Sequence, residues 1–272
     1  MKLKIALMTA ALLAGAAACT TASQPDLSGV SFSDRPLTGK VIWNDLITED
    51  LAAARRFYGG LFGWTFIDSA ARDGLDYVVA HDGETYVAGM LGVTPRPDGK
   101  AVTRWLPYLS VTDVDDAVAR GTSGGATVAA AARDVNLGRV AVIVDPEGAV
   151  IGLGSSAVGD PDDRSTSAAP GRVVWSELLS SDPELAAAFY SRLAGYDANV
   201  IERRGGQYTL LSNSGVDRAG ILERPAKEIE PVWLTYFGVS DPARAAAKAQ
   251  QLGGVVLLAP SPEVREGTMA IV

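Results

Sequence analysis

The sequence predicts an α+β protein made of two tandem copies of one domain, in which each copy contains a pair of βαβββ units. The first observation is an internal repeat, in which residues 39–64 match residues 171–196 at an offset of 132. The second is the order of the periodic segments, since a strand and a helix precede several short strands in each copy. This order is typical of α+β folds and differs from the strict strand–helix alternation of parallel sheets.

The repeat continues through most of both copies. Its offset stays nearly constant, which indicates a duplication rather than chance similarity. Residues 157–170 are rich in Asp, Ser and Pro and are predicted to form the linker between the copies. The matched pairs are Trp43 with Trp175, Asp50 with Asp182, Phe57-Tyr58 with Phe189-Tyr190, Ala88-Gly89 with Ala219-Gly220, Trp105 with Trp233, and Asp113 with Asp241.

The opening strand and helix of each copy have clear boundary signals. Asp50 and Asp182 are predicted helix N-caps, because a carboxylate accepts hydrogen bonds from the first unpaired backbone N–H groups. Gly63 and Gly195 stand where the helices are expected to end. The predicted strands are 40–47 and 172–179, and the predicted helices are 51–60 and 184–192.

Short strands are predicted after the first helix, and a second unit follows them. In the first copy, the pattern places the remaining strands of the first unit at 75–80, 85–92 and 104–111. The second unit begins near 110–113. Its predicted elements are a helix at 114–120 and strands near 126–129, 139–144 and 149–153.

The counts of His and Cys exclude several kinds of site. The 272-residue chain has one His and one Cys, so it cannot form an intrachain disulfide, a His₂Cys₂ or Cys₄ zinc site, or a metal site of two His and one carboxylate. The formal net charge of −8 argues against a nucleic-acid partner, because such binding usually needs a basic surface. His81 lies in a predicted turn, where it is expected to be solvated.

Residues 1–18 are predicted to be a signal peptide. Lys2 and Lys4 precede a short apolar run, and small residues lead up to Cys19. The run is too short to span a hydrocarbon core of ~30 Å. The pattern resembles a bacterial lipoprotein signal, in which Cys19 is lipidated, although Ala16 stands where that signal usually has Leu. Ordinary secretion stays open, because the same small residues also fit a simple cleavage site.

Residues 19–37 are predicted to be the lipidated Cys19 followed by a flexible tether, since they are rich in Ser, Thr, Asp and Pro. Thr20 follows the Cys. By resemblance, lipoproteins without Asp at that position reach the outer membrane. The expected location is therefore the cell envelope, at the periplasmic face of the outer membrane, with the membrane contacted through the lipid on Cys19.

The opening of each copy and one later turn resemble a known superfamily. The motif Trp-x-x-Leu-x-x-x-Asp-(x6)-Phe-Tyr begins at Trp43 and again at Trp175, and residues 145–148 are Asp-Pro-Glu-Gly. This combination resembles the vicinal oxygen chelate (VOC) superfamily, which includes glyoxalase I, bleomycin-resistance proteins and extradiol dioxygenases. The resemblance implies two tandem glyoxalase-like domains, at 38–156 and 171–272, each with a curved mixed sheet.

The second copy is shorter than the first. Val144 of the first copy aligns with Val272, and nothing follows that corresponds to residues 145–155. The second domain is therefore expected to lack its last strand. Two explanations stay open: a fragment or shifted reading frame at this end, or a domain with an open sheet edge.

Active members of the superfamily hold a divalent metal inside the curved sheet, so the resemblance also implies where ligands would lie. These positions fall on Trp43, about Leu106 and Gly152 in the first copy, and on Trp175 and about Leu234 in the second. Trp, Leu and Gly side chains offer a metal no ligand. We therefore expect no metal, no other cofactor and no catalytic residue at these positions.

The two opening strands still predict a binding surface. Side chains alternate along a strand, so an indole and a carboxylate share one face in each copy, and by resemblance this face lines the family's cavity. Such a pair suits a flat or cationic small molecule. Alternatively, the two Trp side chains fill the cavity as core. The carboxylates are expected to pair with Arg104 or another basic residue, or to reach solvent. The candidate ligand-binding residues are Trp43, Asp45, Tyr77, Trp175, Glu177 and Tyr208.

Three functions follow as hypotheses. The absent metal ligands favour an envelope lipoprotein whose two VOC domains bind or sequester a small organic molecule without a metal. A lyase or dioxygenase of the superfamily with a non-standard site is the second hypothesis. The third is a scaffolding lipoprotein that uses the fold as a surface for protein partners.

Overall fold

The structure is a computed structural model. It describes residues 31–72, 75–97, 99, 101–163, 169–203 and 206–272. The predicted signal peptide and Cys19 lie outside the described residues, as does most of the predicted tether.

Ten elements form the first copy, in two successive βαβββ units. The first unit comprises β1 (Val41–Thr48), α1 (Leu51–Phe62), β2 (Thr65–Arg72), β3 (Leu75–Asp82) and β4 (Thr85–Gly92). The second unit comprises β5 (Arg104–Ser110), α2 (Val114–Ser123), β6 (Thr127–Val135), β7 (Gly138–Val144) and β8 (Val150–Ser156).

Both units join in one curved, eight-stranded mixed sheet. The strand order is β2-β3-β4-β1-β5-β8-β7-β6. β1 is parallel to β4 and β5 is parallel to β8, whereas β1 and β5 pair antiparallel at the centre. The two units therefore meet through their first strands, and the side chains on those strands lie at the middle of the sheet.

The second copy repeats this arrangement in a five-stranded sheet with the order β10-β11-β12-β9-β13. After α4, the chain forms isolated bridges between Leu258 and Ile271 and between Ser261 and Val264, with a 3-10 turn at Arg265–Gly267. The elements are β9 (Val173–Ser180), α3 (Pro183–Ala194), β10 (Asp197–Arg203), β11 (Gly206–Asn213), β12 (Val216–Glu223), β13 (Val232–Phe237) and α4 (Pro242–Gln251).

One strand assignment from the sequence is wrong. The pattern assigns 104–111 to the first unit as its last strand, whereas this segment opens the second unit as β5. The strand that the pattern misses is β2, which lies at the edge of the sheet. Its Ile67 is 57% exposed. An edge strand with so little burial need not alternate apolar and polar residues, so periodicity does not reveal it.

The predicted N-caps and terminal glycines are confirmed, although each helix runs two residues further than predicted. Asp50 and Asp182 accept hydrogen bonds from the backbone N–H groups of Ala53 and Leu185, at 2.8 and 3.0 Å. Gly63 ends α1 with φ +78°, in the left-handed region that favours glycine, and Gly195 ends α3 in the same way.

The two copies share their hydrophobic core. One cluster combines Ile143 of the first copy with Phe189 and Trp233 of the second. In a second cluster, Phe237 of the second copy packs 5.0 Å from the ring of Trp105 in the first. Burial of this apolar surface holds the copies together.

Equivalent Tyr–Trp pairs join helix to sheet in each copy. The indole N–H of Trp105 donates to the Tyr58 hydroxyl at 2.9 Å, and that of Trp233 donates to the Tyr190 hydroxyl at 2.9 Å. Tyr190 in turn donates to Asp145 Oδ2 at 2.8 Å. This last hydrogen bond connects a helix of the second copy with a turn of the first.

The same turn also caps α3. Glu147 Oε1 accepts hydrogen bonds from the backbone N–H groups of Ser181 and Asp182, at 2.9 and 2.8 Å, and its Oε2 accepts from the Ser180 hydroxyl at 2.5 Å. A carboxylate at a helix N-terminus is favourable because the first N–H groups carry partial positive charge. The Asp-Pro-Glu-Gly turn therefore docks the second copy.

We expect Tyr190→Phe to lower the free energy of unfolding by about 1–3 kcal/mol, because it leaves the buried Asp145 carboxylate and Trp233 indole without this partner. The matched control is Tyr58→Phe, which removes an acceptor from Trp105 alone and should cost less. Urea denaturation of both variants measures the difference. Equal losses would show that the contact between the copies adds nothing.

Candidate functional site

The first candidate site lies where β1 and β5 meet at the centre of the first sheet. Trp43 and Asp45 alternate onto one face of β1. Tyr108 is opposite Trp43, and Leu106 is opposite Asp45. On the other side of β1, Gly89 of β4 is the register partner of Asp45. The cross-strand pairs therefore bring aromatic groups around one carboxylate.

A hydrogen-bonded cluster surrounds that carboxylate, and we name Trp43, Asp45, Tyr77 and Tyr108 site one. Asp45 Oδ1 accepts hydrogen bonds from the Trp43 indole N–H and the Tyr77 hydroxyl, both at 2.8 Å. The Tyr108 hydroxyl also donates to Asp45. Asp45 is 8% exposed, while Trp43 is half-buried. Tyr77 is half-buried as well, so the indole and the Tyr77 ring form the accessible part of the cluster.

Burial dominates the electrostatics of site one. It raises the pKa of the Asp45 carboxyl, and the hydrogen bonds from Tyr77, Trp43 and Tyr108 oppose that shift. Burial also raises the pKa values of Tyr77 and Tyr108, and the Asp45 charge adds to both shifts. The two phenols therefore keep their protons and act as donors. Arg133 of β6 acts on Asp45 through its charge and lowers the pKa.

Two glycines provide the space that the phenols occupy. A Cβ at Gly89 would overlap the Tyr77 hydroxyl and Asp45 Oδ1, and a Cβ at Gly152 of β8 would overlap the ring of Tyr108. Side-chain space, rather than backbone conformation, requires glycine at both positions. Gly152 is also one of the positions where the family resemblance implies a metal ligand, and here the Tyr108 ring lies over it.

The second copy repeats the cluster, and we name Trp175, Glu177, Tyr208 and Tyr236 site two. The Trp175 indole donates to the Tyr208 hydroxyl at 2.9 Å, and the Tyr236 hydroxyl donates to Glu177 Oε1 at 2.9 Å. Tyr236 is opposite Trp175, as Tyr108 is opposite Trp43. A Cβ at Gly220 would overlap Tyr208. The two sites therefore share one design.

Site two differs from site one because the side chain of Arg265 lies against its cluster. The Arg265 guanidinium donates a hydrogen bond to Glu177 Oε2 and forms an ion pair with it. Its Cζ lies 5.7 Å from the ring centroid of Tyr208 and 5.6 Å from that of Tyr236. Burial raises the pKa of Tyr208 to about 12, so this phenol also stays protonated. The Glu177 side chain is 1% exposed, against 33% for Arg265.

The structure brings together the residues that the sequence singled out: Trp43, Asp45 and Tyr77 in one cluster, and Trp175, Glu177 and Tyr208 in the other. Whether they bind a ligand stays a prediction. Sequence reasoning missed Tyr108, Tyr236, Arg133 and Arg265. A signal was present, since Trp-Leu-x-Tyr occurs at 105–108 and 233–236, and the two Arg residues match at the repeat offset of 132.

The expectation that a basic residue pairs with the carboxylates holds in the second copy, where Glu177 pairs with Arg265. In the first copy, Arg104 does not pair with Asp45; it donates to the Val102 carbonyl just before β5, and uncharged donors satisfy the carboxylate instead. The expectation of a solvated His81 is wrong, because it lies one residue before the end of β3 with 7% exposure and packs 4.4 Å from the Tyr86 ring. This burial lowers its pKa.

The residues of the two sites do not fit a divalent metal ion. No group of three or more His, Cys, Asp or Glu side chains is placed to hold a metal within the described part of the chain. Each site offers one carboxylate, and that carboxylate already accepts several hydrogen bonds. Protonated phenols and an indole N–H are donors, so they supply no further ligand of the kind that divalent metals require.

The side chains of each cluster fill the space within it. A cavity of 540 Å³ lies elsewhere, between α2 and α3, and is lined by Arg120, Ser123, Gly124 and Arg192. A molecule that bound at site one or site two would therefore contact the accessible edge of the indole and displace or reorient its neighbours.

We expect Gly152→Ala to destabilise the fold by about 1–3 kcal/mol and to disturb site one, since the added methyl overlaps the Tyr108 ring. Gly154→Ala on the same strand is the matched control, because its Cβ would lie 3.4 Å from Ile42 in ordinary contact. Thermal unfolding and near-ultraviolet circular dichroism measure both effects. Equal behaviour of the two variants would contradict the tight contact at Gly152.

A protein-family model matches the first copy. The model described as Glyoxalase/Bleomycin resistance protein/Dioxygenase superfamily matches residues 40–153. The matched segment spans both βαβββ units of the first sheet up to β8.

Relatives extend the similarity across both copies. A Mycobacterium tuberculosis protein with the provisional name glyoxylase CFP32 is 33% identical over 243 residues, which covers 84% of this chain and 88% of the relative. The anthracycline biosynthesis protein DauV of Streptomyces sp. strain C5 is 31% identical over 231 residues, which covers 80% and 83% of the two chains.

Solved structures share the architecture at low identity. The Mn(II)-bound glyoxalase from Novosphingobium aromaticivorans is 17% identical, with a TM-score of 0.55 over 82% of this chain and 73% of its own. The 2,3-dioxygenase LapB from Pseudomonas sp. KL28 is 15% identical, with a TM-score of 0.54 over 85% of each chain. These likenesses confirm the predicted two-domain glyoxalase-like fold. Since the mycobacterial relative matches over most of both chains, this chain belongs to the glyoxalase/bleomycin resistance protein/dioxygenase superfamily.

Proposed function

We propose that this protein binds or sequesters a small organic molecule at its duplicated Trp–carboxylate–Tyr–Tyr cluster, without a metal. The observation that carries the proposal is the repetition of the cluster. Each copy places one indole edge, one carboxylate and two protonated phenols at the centre of a curved sheet. An aromatic wall with a few convergent polar groups is typical of small-molecule sites.

The unfavourable free energy of burying the two carboxylates supports a role in binding rather than a purely structural role. A well-packed apolar residue in place of a buried ionic group is often neutral or stabilising. Asp45 and Glu177 instead occupy the centre of their sheets at 8% and 1% exposure. Both copies keep this arrangement beside a half-buried indole. We infer that the carboxylates serve recognition, which compensates for their unfavourable burial.

The relatives support an organic ligand but leave its identity open. Glyoxylase and dioxygenase appear among the names of similar proteins, and one is named for anthracycline biosynthesis. The alternative function is a lyase or dioxygenase with a non-standard site. That alternative would need a metal or another reactive group, and the donor set of sites one and two does not favour a metal.

Titration of the mature chain with a panel of aromatic and cationic small molecules tests the proposal. We expect Trp43→Phe to weaken binding at site one at least tenfold, because the indole is both the accessible wall and a donor to Asp45. The control is Trp105→Phe, a substitution outside both sites that should leave affinity unchanged.

Two outcomes would contradict the proposal. One is the absence of binding across the panel, with Trp43→Phe changing stability alone. The other is stoichiometric Fe, Mn, Ni or Zn in the purified protein, which would favour the lyase or dioxygenase. A protein partner that copurified from envelope extracts in the absence of any ligand would instead favour a scaffold.

We further propose that the protein is exported and anchored in the cell envelope through a lipid on Cys19. The support comes from the sequence: a basic start, a short apolar run, small residues, and the chain's one Cys directly after them. Among the described residues, no helix is long and apolar enough to cross a membrane.

We expect labelled palmitate to be incorporated into the full-length chain in a bacterial host and Cys19→Ser to abolish the incorporation. Fractionation should show the wild-type chain with membranes and the variant in the soluble periplasmic fraction. Label retained in Cys19→Ser would overturn Cys19 as the lipidation site, and a soluble wild-type chain without label would favour ordinary secretion.

A further inference from the structure

We propose that the duplicated cluster is a guanidinium cage, which Arg265 fills in site two and which a guanidinium-bearing small molecule enters in site one. This inference rests on the proposed binding function and names the chemical class of the ligand. Arg265 shows how a guanidinium group binds in such a cluster, because it contacts three of the four cluster residues of site two.

The Arg265 contacts are those of a bound cation. Its guanidinium pairs with Glu177 and lies within 6 Å of the Tyr208 and Tyr236 ring centroids, at 5.7 and 5.6 Å. A carboxylate combined with aromatic faces at such distances is the usual environment for recognition of organic cations. The planar fork of a guanidinium also suits stacking and directed hydrogen bonds better than an ammonium group does.

The turn that carries Arg265 has an unusual backbone conformation. Arg265 has φ +44° and Glu266 has φ +56°, in the left-handed region that non-glycine residues seldom adopt. Such conformations persist where the surroundings over-determine them. The contacts of the Arg265 side chain with Glu177, Tyr208 and Tyr236 are part of those surroundings.

Site one has the same cage with its arginine placed differently. Asp45 accepts hydrogen bonds from Trp43, Tyr77 and Tyr108, whereas Arg133 is exposed on β6 and acts on Asp45 through its charge. The Asp45 carboxyl of site one is therefore surrounded by uncharged donors. A ligand guanidinium would take the place that Arg265 takes in site two by displacing or reorienting these donors.

A second arginine nearby does not exclude such a ligand. In site two, Arg203 also lies over the Tyr208 ring, with its Cζ 4.2 Å from the centroid, while Arg265 occupies the cage. Two guanidinium groups therefore coexist around one phenol. Arg133 matches Arg265 in the repeat and is exposed on β6, so it is not one of the four side chains of site one.

The test is calorimetric titration of the mature chain with methylguanidinium, with neutral methylurea as the matched probe of similar shape. We expect one methylguanidinium to bind per wild-type chain. Its affinity should be millimolar, because so small a ligand makes few contacts. Methylurea should bind at least tenfold more weakly. Asp45→Asn should abolish this binding.

Arg265→Ala should open site two and raise the stoichiometry from one to two, and the double variant with Asp45→Asn should return it to one. Arg265→Gln provides a second variant if the alanine variant unfolds. Arg244→Ala, an exposed arginine on α4, is the control and should keep a stoichiometry of one.

The outcomes separate this inference from the proposed function. If other members of the aromatic and cationic panel bind at Trp43 but methylguanidinium does not, or if methylurea binds equally well, the guanidinium cage is wrong and the binding function stands. An unchanged stoichiometry in folded Arg265→Ala and Arg265→Gln would also overturn the cage. Failure of the whole panel would overturn both.

Discussion

The burial of one carboxylate at the centre of each sheet is the constraint on which the rest of each site depends. β1 and β5 bring Asp45 to the middle of their sheet, and β9 and β13 do the same for Glu177. Such a group, left without partners, would cost a large part of the ~5–15 kcal/mol by which domains are stable. Donors must therefore converge on it, and aromatic side chains carry these donors because they also fill the surrounding space.

The two copies supply their buried carboxylates with donors of different charge. Asp45 accepts from an indole and two phenols, whereas Glu177 receives a phenol and the Arg265 guanidinium. Uncharged donors place no positive charge beside the Asp45 carboxyl, while the Arg265 guanidinium places one beside Glu177. Duplication has thus kept the shape of the site and changed its electrostatics. The two sites are not equivalent, and a cationic ligand would distinguish between them.

Much of this architecture can be predicted from the sequence, because the repeat, the Asp N-caps and the terminal glycines are local signals. The strand pattern failed at β2, where edge exposure removes the alternation. Trp43 and Asp45 could be paired because they are two residues apart on one strand. Tyr108 and Arg265 could not, since strand register and a 3-10 turn bring them to the site. The repeat offset relates equivalent residues, but it carries no information about which residues converge in space.

Gly152 shows why the family's metal site and this phenol cluster exclude each other. The resemblance places a metal ligand at this position, yet the ring of Tyr108 occupies the space that any side chain there would need. Loss of the ligand is therefore sterically coupled to the gain of Tyr108, which donates to Asp45. A carboxylate restored at 152 alone would collide with the ring before it could reach a metal. The Tyr108 ring and a metal ligand at position 152 therefore cannot occupy this part of the sheet together.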